Sequence, residues 1–297
     1  MKKKVAIIIA TCNQEKLLVD CLKSLKKTKY NNYKIFFVDD TGKNLGKKIK
    51  KEFDVDLITT KGFSGQSKVW NFGIKKALKE NFDYFLLLDD DTEILDKDWL
   101  SNLIKVGESD KNIGIIGCGL IYPDGSMQHL GGYIRGWKIT KELNDRKNVF
   151  EVDHVMGCFM LIKKSVINKI GLVDEIYNPY LLEETDYCVR AKNQGFKIVS
   201  VPYVKIIHKK GKTINTQSNA KRMFVRFKND IIFSRRHFKL KDKLFRIFVY
   251  LPLVAIFRKR KDEDELKFEN FVLRREFLVN LALLIGAFSY VLCKRLK

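Results

Sequence analysis

No two cysteines in this sequence are spaced Cys-x-x-Cys. Its six, Cys12, Cys21, Cys118, Cys158, Cys188 and Cys293, therefore offer no zinc-type ligand spacing. They read as reduced thiols of a cytosolic protein. Proline is scarce, with four in 297 residues, and no stretch rich in Pro, Gly or Ser marks a linker. There is no internal repeat and no low-complexity tract. No long apolar run opens the chain. Val5–Ala10, after three lysines, is too short for the core of a secretory signal and reads as a first buried strand. No glycine-rich phosphate loop followed by Lys or Arg lies near the start, which argues against a nucleotidyltransferase.

What is present is apolar residue and base. At 45% hydrophobic residues the chain can bury a sizeable core, so wholesale disorder is excluded. The net charge is +22 and unevenly placed: residues 205–297 hold 24 Lys+Arg against 8 Asp+Glu, residues 1–204 hold 33 against 27. Such a tail favours a polyanion, either nucleic acid or an anionic membrane surface.

Apolar runs and helical spacing alternate through the first half. Val5–Ala10, Ile35–Val38 and Tyr84–Leu88 read as buried strands; Leu17, Leu18, Cys21, Leu22 and Leu25, and then Lys68–Lys79, read as helices. This alternation predicts an α/β fold with a mostly parallel sheet flanked by helices. Residues 113–162 read as strands and loops, Leu181–Asn193 as a helix and Lys197–Val201 as a strand. Two strands end in acids, Asp39-Asp40 and Asp89-Asp90-Asp91, and ligands of such sheets gather at the carboxyl ends of strands.

Three carboxylates delivered by a strand into a turn suit a hard divalent cation, which prefers oxygen ligands and bridges a pyrophosphate. The plainer reading is a polar turn with Asp91 or Thr92 capping the helix near Trp99. Asp39 at a strand end can accept the imide N–H of a pyrimidine base or can be an ordinary turn acid. Glu183 and Glu184 open a helix, where acids are favoured electrostatically, or one of them is a general base aimed at an acceptor hydroxyl. Asp186 and Arg190, four apart, predict a structural ion pair. His208, after a strand, is either a structural histidine or a ligand that joins an aspartate at a manganese-type site.

In order along the chain these segments resemble family-2 glycosyltransferases with the GT-A fold, particularly rhamnosyltransferase-like and galactofuranosyltransferase-like members. The segments are ATCNQEKLLVDCLKSL, VDD, GFSGQSKVWNFGI, LLLDDDT, GLIYPDGSMQHLGG, VDHVMGCFMLIKK, IGLVDE, YLLEETDYCVR and VPYVKIIH. The likeness runs from Val5 to about Gly211. It implies a Rossmann-like nucleotide-sugar-binding domain over residues 1–212 and a basic, apolar, helical, membrane-associating appendage over 213–297.

The resemblance also implies roles. Asp39 would contact the nucleobase with Thr11 lining its pocket, and Asn71 lies in the Asn-x-Gly segment of the nucleotide site. Asp89 would touch ribose or metal; Asp91 would bind the metal, Mg or Mn, helped by His208. Glu184 takes the place of the catalytic base with Glu183 as the alternative; Asp186 is a third catalytic candidate, and with Arg190 it would organise their helix. Gly131 and Gly132 fall in a loop near the donor sugar. The sequence departs from the family's usual pattern in four places. Ala10-Thr11-Cys12-Asn13 stands for Pro-Thr-Tyr-Asn and Glu183-Glu184 for Glu-Asp. Trp70 replaces a residue that is often basic, and Val173 an aromatic.

The expected activity is metal-dependent, inverting transfer of a sugar from a nucleoside-diphosphate donor, dTDP-rhamnose first and a UDP-sugar second. The expected acceptor is a hydroxyl of a lipid-linked or growing surface glycan. The alternatives are a catalytically silent relative serving as a membrane scaffold, and a basic nucleic-acid binder. The second draws on Phe224, Phe227, Phe233 and Phe238 interleaved with base. No nucleic-acid-binding motif is present and the strongest base flanks apolar runs, so nucleic acid is not an expected partner. The tail is expected to hold the protein at the cytoplasmic face of the cell membrane and to be the route of any self-association. Leu240, Leu244, Ile247, Phe248 and Leu251 suit one amphipathic helix. Phe277–Cys293, 17 residues containing Asn280 and with base on both flanks, sits at the lower limit for a span. The run Arg258-Lys259-Arg260-Lys261 adds attraction to anionic lipid.

Overall fold

The computed structural model describes residues 2–12, 14–209, 219–257 and 269–293, with backbone only for 219, 255–257 and 269–277. Asn13, the expected boundary at residue 212 and the run Arg258–Lys261 lie outside the described residues. The chain groups into two compact units: residues 1–134 with 139–210, and residues 135–138 with the chain after 210.

The first unit runs β1 (Val5–Thr11), α1 (Glu15–Leu25), β2 (Tyr33–Asp39), α2 (Leu45–Glu52), β3 (Asp56–Thr59), α3 (Gln66–Ala77), β4 (Tyr84–Asp89), β5 (Thr92–Ile94) and α4 (Trp99–Ser109). It continues with β6 (Ile113–Ile121), β7 (Met127–His129), β8 (Gly132–Arg135), β9 (Lys138–Lys141), β10 (Phe150–Val152), β11 (Phe159–Lys163), α5 (Lys164–Ile170), α6 (Glu183–Asn193) and β12 (Lys197–His208). The ten-stranded sheet has the order β10-β12-β6-β11-β4-β1-β2-β3, with β5 on β12 and β7 on β6.

The expectation of a mostly parallel sheet needs correction: the sheet is mixed. β4, β1, β2 and β3 pair in parallel, as do β6 and β12. β11 enters antiparallel between β4 and β6, and β5, β7 and β10 also pair antiparallel. Parallel neighbours need a long crossover, usually helical, and α1, α2 and α3 supply those of the first half. Between β6 and β11 the chain makes only strands and loops, so it returns in the opposite direction. Side chains alternate across the sheet: Ile7, Ile9, Leu86 and Leu88 face a core with α1 and α4, whereas Ala6, Ile8, Phe85 and Leu87 face α3, α5 and α6. Strands buried on both faces explain the unbroken apolar runs of β1 and β4.

The second unit consists of α7 (Asn219–His237), α8 (Leu240–Phe245), a π-helical turn (Arg246–Tyr250), α9 (Leu251–Phe257) and α10 (Glu269–Cys293). Its core is Met223, Phe227, Ile231, Ile247, Leu251, Leu284 and Ala287. The amphipathic row expected over 240–251 is divided between two sides: Ile247 and Leu251 point inward, whereas Leu240, Leu244 and Phe248 are exposed. No helix among the described residues is long and apolar enough to cross a membrane.

Candidate functional site

The acidic cluster is placed by two strand pairings. β4 ends at Asp89 beside Ala10 of β1, and the chain turns at once into β5, closed by the Thr92 hydroxyl donating to the Asp89 carbonyl at 2.7 Å. β5 pairs with the far end of β12 so that Thr92 lies opposite His208. Asp91 and His208, 117 positions apart, thereby meet with Oδ1 3.3 Å from Nε2. The ligand atoms of Asp89, Asp91 and His208 all lie within 4.8 Å of one another. Ligands of one first-row divalent ion sit about 3 Å apart when adjacent and about 4.4 Å when opposite, given bonds of about 2.0–2.2 Å. At this separation only small side-chain adjustments separate the three donors from the spacing of ligands on one divalent ion. Asp91 does not cap α4, which begins eight residues later behind Asp98.

The imidazole is held in one orientation. The buried Gln128, on β7, donates from Nε2 to the His208 carbonyl at 3.2 Å, which aims its Oε1 at His208 Nδ1, 2.5 Å away. Nδ1 then donates its proton to Oε1, and Nε2 faces Asp91 Oδ1. A hydrogen bond at the far ring nitrogen fixes the direction of Nε2, as it does in histidines that bind metals.

Burial, then the charge of Asp91, raises the Asp89 carboxyl to about 7; Glu184 adds to this, while His208 and the Gln66 hydrogen bond oppose it. Asp90 is raised well above the carboxylate range by burial and by its two neighbours, against a hydrogen bond from Thr11. Without a cation this cluster holds protons near neutral pH, and a dication relieves the same repulsion. Gln66 Nε2 donates to Asp89 Oδ1 at 3.0 Å from the first turn of α3. That end of α3 is tied to the segment before α6: Gln66 N–H donates to the Pro179 carbonyl and Ser67 N–H to Asn178 Oδ1. Gly65, at φ +92°, is required there, because a Cβ would lie 2.8 Å from Asn178 Oδ1.

Asp39 is fully buried and pairs in register with Thr11 across β2 and β1. Its Oδ1 accepts from the Thr41 N–H (3.1 Å) and hydroxyl (2.6 Å), and Oδ2 from the Gly46 N–H (2.7 Å). Three of about four lone-pair positions are taken, so Asp39 fixes its own loop and keeps one acceptor position. Asn71 is also buried and engaged. Its Nδ2 donates to the Val173 carbonyl and Glu175, and its Oδ1 accepts from the Val173 N–H. It braces the 173–175 loop against α3.

The candidate base lies on α6. Leu181 and Leu182 both take left-handed backbone, φ 78° and 71°, an unusual strain for leucine that sets the helix start at Glu183. Burial raises the Glu184 carboxyl above its ordinary value, the direction that makes a carboxylate a better base near neutral pH. A Cβ on Gly157 would lie 2.6 Å from the Trp70 ring and 3.4 Å from the Glu184 Cβ, so Trp70 and Glu184 flank one stretch of backbone. Glu183 is buried. Asp186 is directed elsewhere: it accepts from the Tyr177 hydroxyl at 3.0 Å and from Arg190 Nε at 2.8 Å. Arg190 also donates to the Ile170 and Leu172 carbonyls. That pair anchors α6.

The Gly131-Gly132 loop is rigid. Gly131 has φ +94°, and a Cβ on Gly132 would lie 2.0 Å from the Thr140 carbonyl. Burial, then the charges of His154 and Lys141, lowers His129 to about 3, so it stays neutral and accepts the Gly131 N–H through Nδ1 at 2.8 Å. Gln66 and Gln128 were not among the residues selected from sequence, and Asp90 was read only as part of the acidic cluster. Gln66 and Gln128 lie within recognisable motifs, but a lone glutamine carries no signature until its partners are placed.

The family model described as "Glycosyl transferase family 2" matches residues 6–171. The Low-salt glycan biosynthesis hexosyltransferase Agl10 of Haloferax volcanii is 28% identical over 192 residues, 62% of this chain and 62% of its own length. The dTDP-rhamnosyl transferase RfbF of Shigella flexneri is 23% identical over 212 residues, 70% of each chain. Of three curated relatives the chain spans less than two thirds of their own length, 29%, 62% and 12%. Among solved structures, a mannosyltransferase of Pyrobaculum calidifontis in complex with GDP-Man and Mn2+ superposes with TM-score 0.59 at 12% identity, over 97% of this chain and 87% of that one. The shared fold is GT-A-like, with the mixed sheet described above.

Proposed function

This chain belongs to glycosyl transferase family 2, and from that premise we propose that it moves a sugar from a nucleoside-diphosphate donor to a hydroxyl, with a divalent metal held by Asp89, Asp91 and His208. The observation that carries the reading is the convergence of those three ligand atoms within 4.8 Å at the carboxyl end of the sheet. The bound metal would neutralise the departing diphosphate. Thr11 and the remaining acceptor position of Asp39 lie on neighbouring strand ends and suit the base of the nucleotide.

Glu184 takes the proton of the acceptor hydroxyl, with Glu183 beside it as the alternative. The oxygen then attacks the anomeric carbon from the face opposite the diphosphate, which leaves with the bonding electron pair, so the configuration inverts. Asn71, Asp186 and Arg190 act by holding the 173–175 loop and α6 in place. The donor is dTDP-rhamnose or a UDP-sugar; the name of the Shigella relative supports the first. The acceptor is a lipid-linked or growing surface glycan at the cytoplasmic face of the membrane. A silent scaffold is not favoured, because Asp91, His208 and Glu184 keep the chemistry a working site needs.

Equilibrium binding tests the metal and nucleotide together. Titration of dTDP, UDP and GDP by calorimetry, with manganese and with chelator, should give binding of at least one diphosphate only with manganese. Equal affinity in chelator would remove the metal from the account.

A further inference from the structure

We infer that the second unit docks on an anionic lipid surface, with the outward rows of α8–α9 and of α10 seated among the acyl chains. The unit leaves apolar rows uncovered on its outside, around an apolar core. Its interior holds Asn229, Asp230, Ser234, Arg246 and Asn280, each at most 6% exposed. Arg246 pairs with Asp230 and donates to the Trp137 carbonyl within the unit. From residue 242 through 254, by contrast, every exposed side chain is apolar, with Leu244 at 46%, Phe248 at 62% and Leu253 at 46%. On α10, no charged residue occurs from Phe277 to Cys293, and Leu278, Ile285 and Leu292 are exposed at 61%, 58% and 46%. A helix apolar on every side belongs in a protein core or in lipid. Outward apolar rows, with polar side chains kept inside beside the apolar core, suit helices that face hydrocarbon.

Charge chooses among the possible occupants. Residues 205–297 carry 24 Lys+Arg against 8 Asp+Glu, so a second copy would bring the same sign of charge to the face, whereas anionic headgroups bring the opposite sign. Lys239, Lys241 and Lys243 lie among the exposed apolar positions of α8, where lysine stems reach the headgroup layer. Nucleic acid fits poorly, because Phe227, Phe233 and Phe238 are buried and offer no stacking surface. Depth follows from length. The uncharged part of α10, 17 residues, spans about 26 Å at 1.5 Å per residue, less than the roughly 30 Å hydrocarbon core. With base on both flanks of that stretch, Arg274 and Arg275 before it and Lys294, Arg295 and Lys297 after it, the unit is placed in one leaflet. Lipid contact does not depend on the proposed reaction; that the acceptor is lipid-borne does.

Vesicle co-sedimentation of the full chain tests this without any turnover. Phosphatidylcholine vesicles are compared with vesicles containing phosphatidylglycerol, at 0.1 M and 1 M salt. The wild type should bind the anionic vesicles about tenfold or more tightly and stay partly bound in high salt. Leu244→Glu with Phe248→Glu should lower that affinity about a hundredfold with circular dichroism unchanged, since both positions face outward. Leu278→Glu alone, on the other helix, should weaken binding independently. Wild-type protein left in the supernatant, or variants that bind undiminished, would overturn the inference. So would a stable dimer in sedimentation velocity that the double variant splits while vesicles fail to compete, which would assign the face to a second copy.

Discussion

Asp91→Asn should separate a metal ligand from a structural turn acid, because the two roles predict opposite signs. The amide keeps the shape but removes one unit charge from a site whose ligand atoms lie within 4.8 Å of one another. Two unit charges about 4 Å apart at an effective dielectric of about 20 interact by about 4 kcal/mol, nearly three powers of ten in affinity. The amide oxygen remains a weak ligand, so manganese-dependent nucleotide affinity should fall about 10²–10³-fold. In metal-free protein the effect reverses. The charge of Asp91 raises both Asp89 and Asp90, so its removal relieves repulsion and should leave the thermal midpoint unchanged or higher above pH 7. Calorimetry with manganese and a thermal melt in chelator read the two halves. Unchanged metal-dependent affinity, or a lower apo midpoint with normal metal response, would refute the ligand assignment.

Glu184→Gln should keep donor binding and lower turnover about 10²–10⁴-fold, as loss of a general base does; near-normal turnover would move the role to Glu183. Gln128→Leu should weaken manganese binding about 10–100-fold, whereas Gln128→Glu, which still accepts the Nδ1 proton, should preserve it; nitrogen NMR of His208 should report the tautomer shift in the leucine variant alone. Stability should also follow the titration of Asp89. Its folded value near 7 lies above the ordinary carboxylate value, so the native state keeps a proton the unfolded chain has lost. Apo stability should therefore fall as pH rises from about 4 to about 7. The stabilisation added by manganese should grow over the same window; a metal-induced melting shift that is flat from pH 5 to pH 8 would contradict this.

The strands carrying the site were legible because both faces of β1, β2 and β4 are buried, which leaves uninterrupted apolar runs ending in acids. The direction of β11 was not legible, since an apolar run reads the same in parallel and antiparallel pairing. Asp91 and His208 could be named from motif order, but their meeting depends on the three-residue strand β5, too short to show a period. The same limit hid Gln128, whose meaning is its pair of bonds to His208. Asp186 and Arg190 were foreseeable at a spacing of four. What spacing could not supply was that Tyr177 completes the shell around Asp186. In the tail the apolar positions were readable, but spacing alone did not say which of them face outward: Ile247 and Leu251 turn in while Leu244 and Phe248 turn out.

The central claim is that this site uses a metal to transfer sugar from a nucleotide. The most direct measurement is nucleoside-diphosphate release from a panel of dTDP-, UDP- and GDP-sugars by the full chain, with manganese, with chelator, and with the Glu184→Gln variant alongside. The account predicts release from at least one donor that chelator abolishes, manganese restores and the variant largely loses. Release that persists in chelator, or that the variant sustains at the wild-type rate, would contradict it.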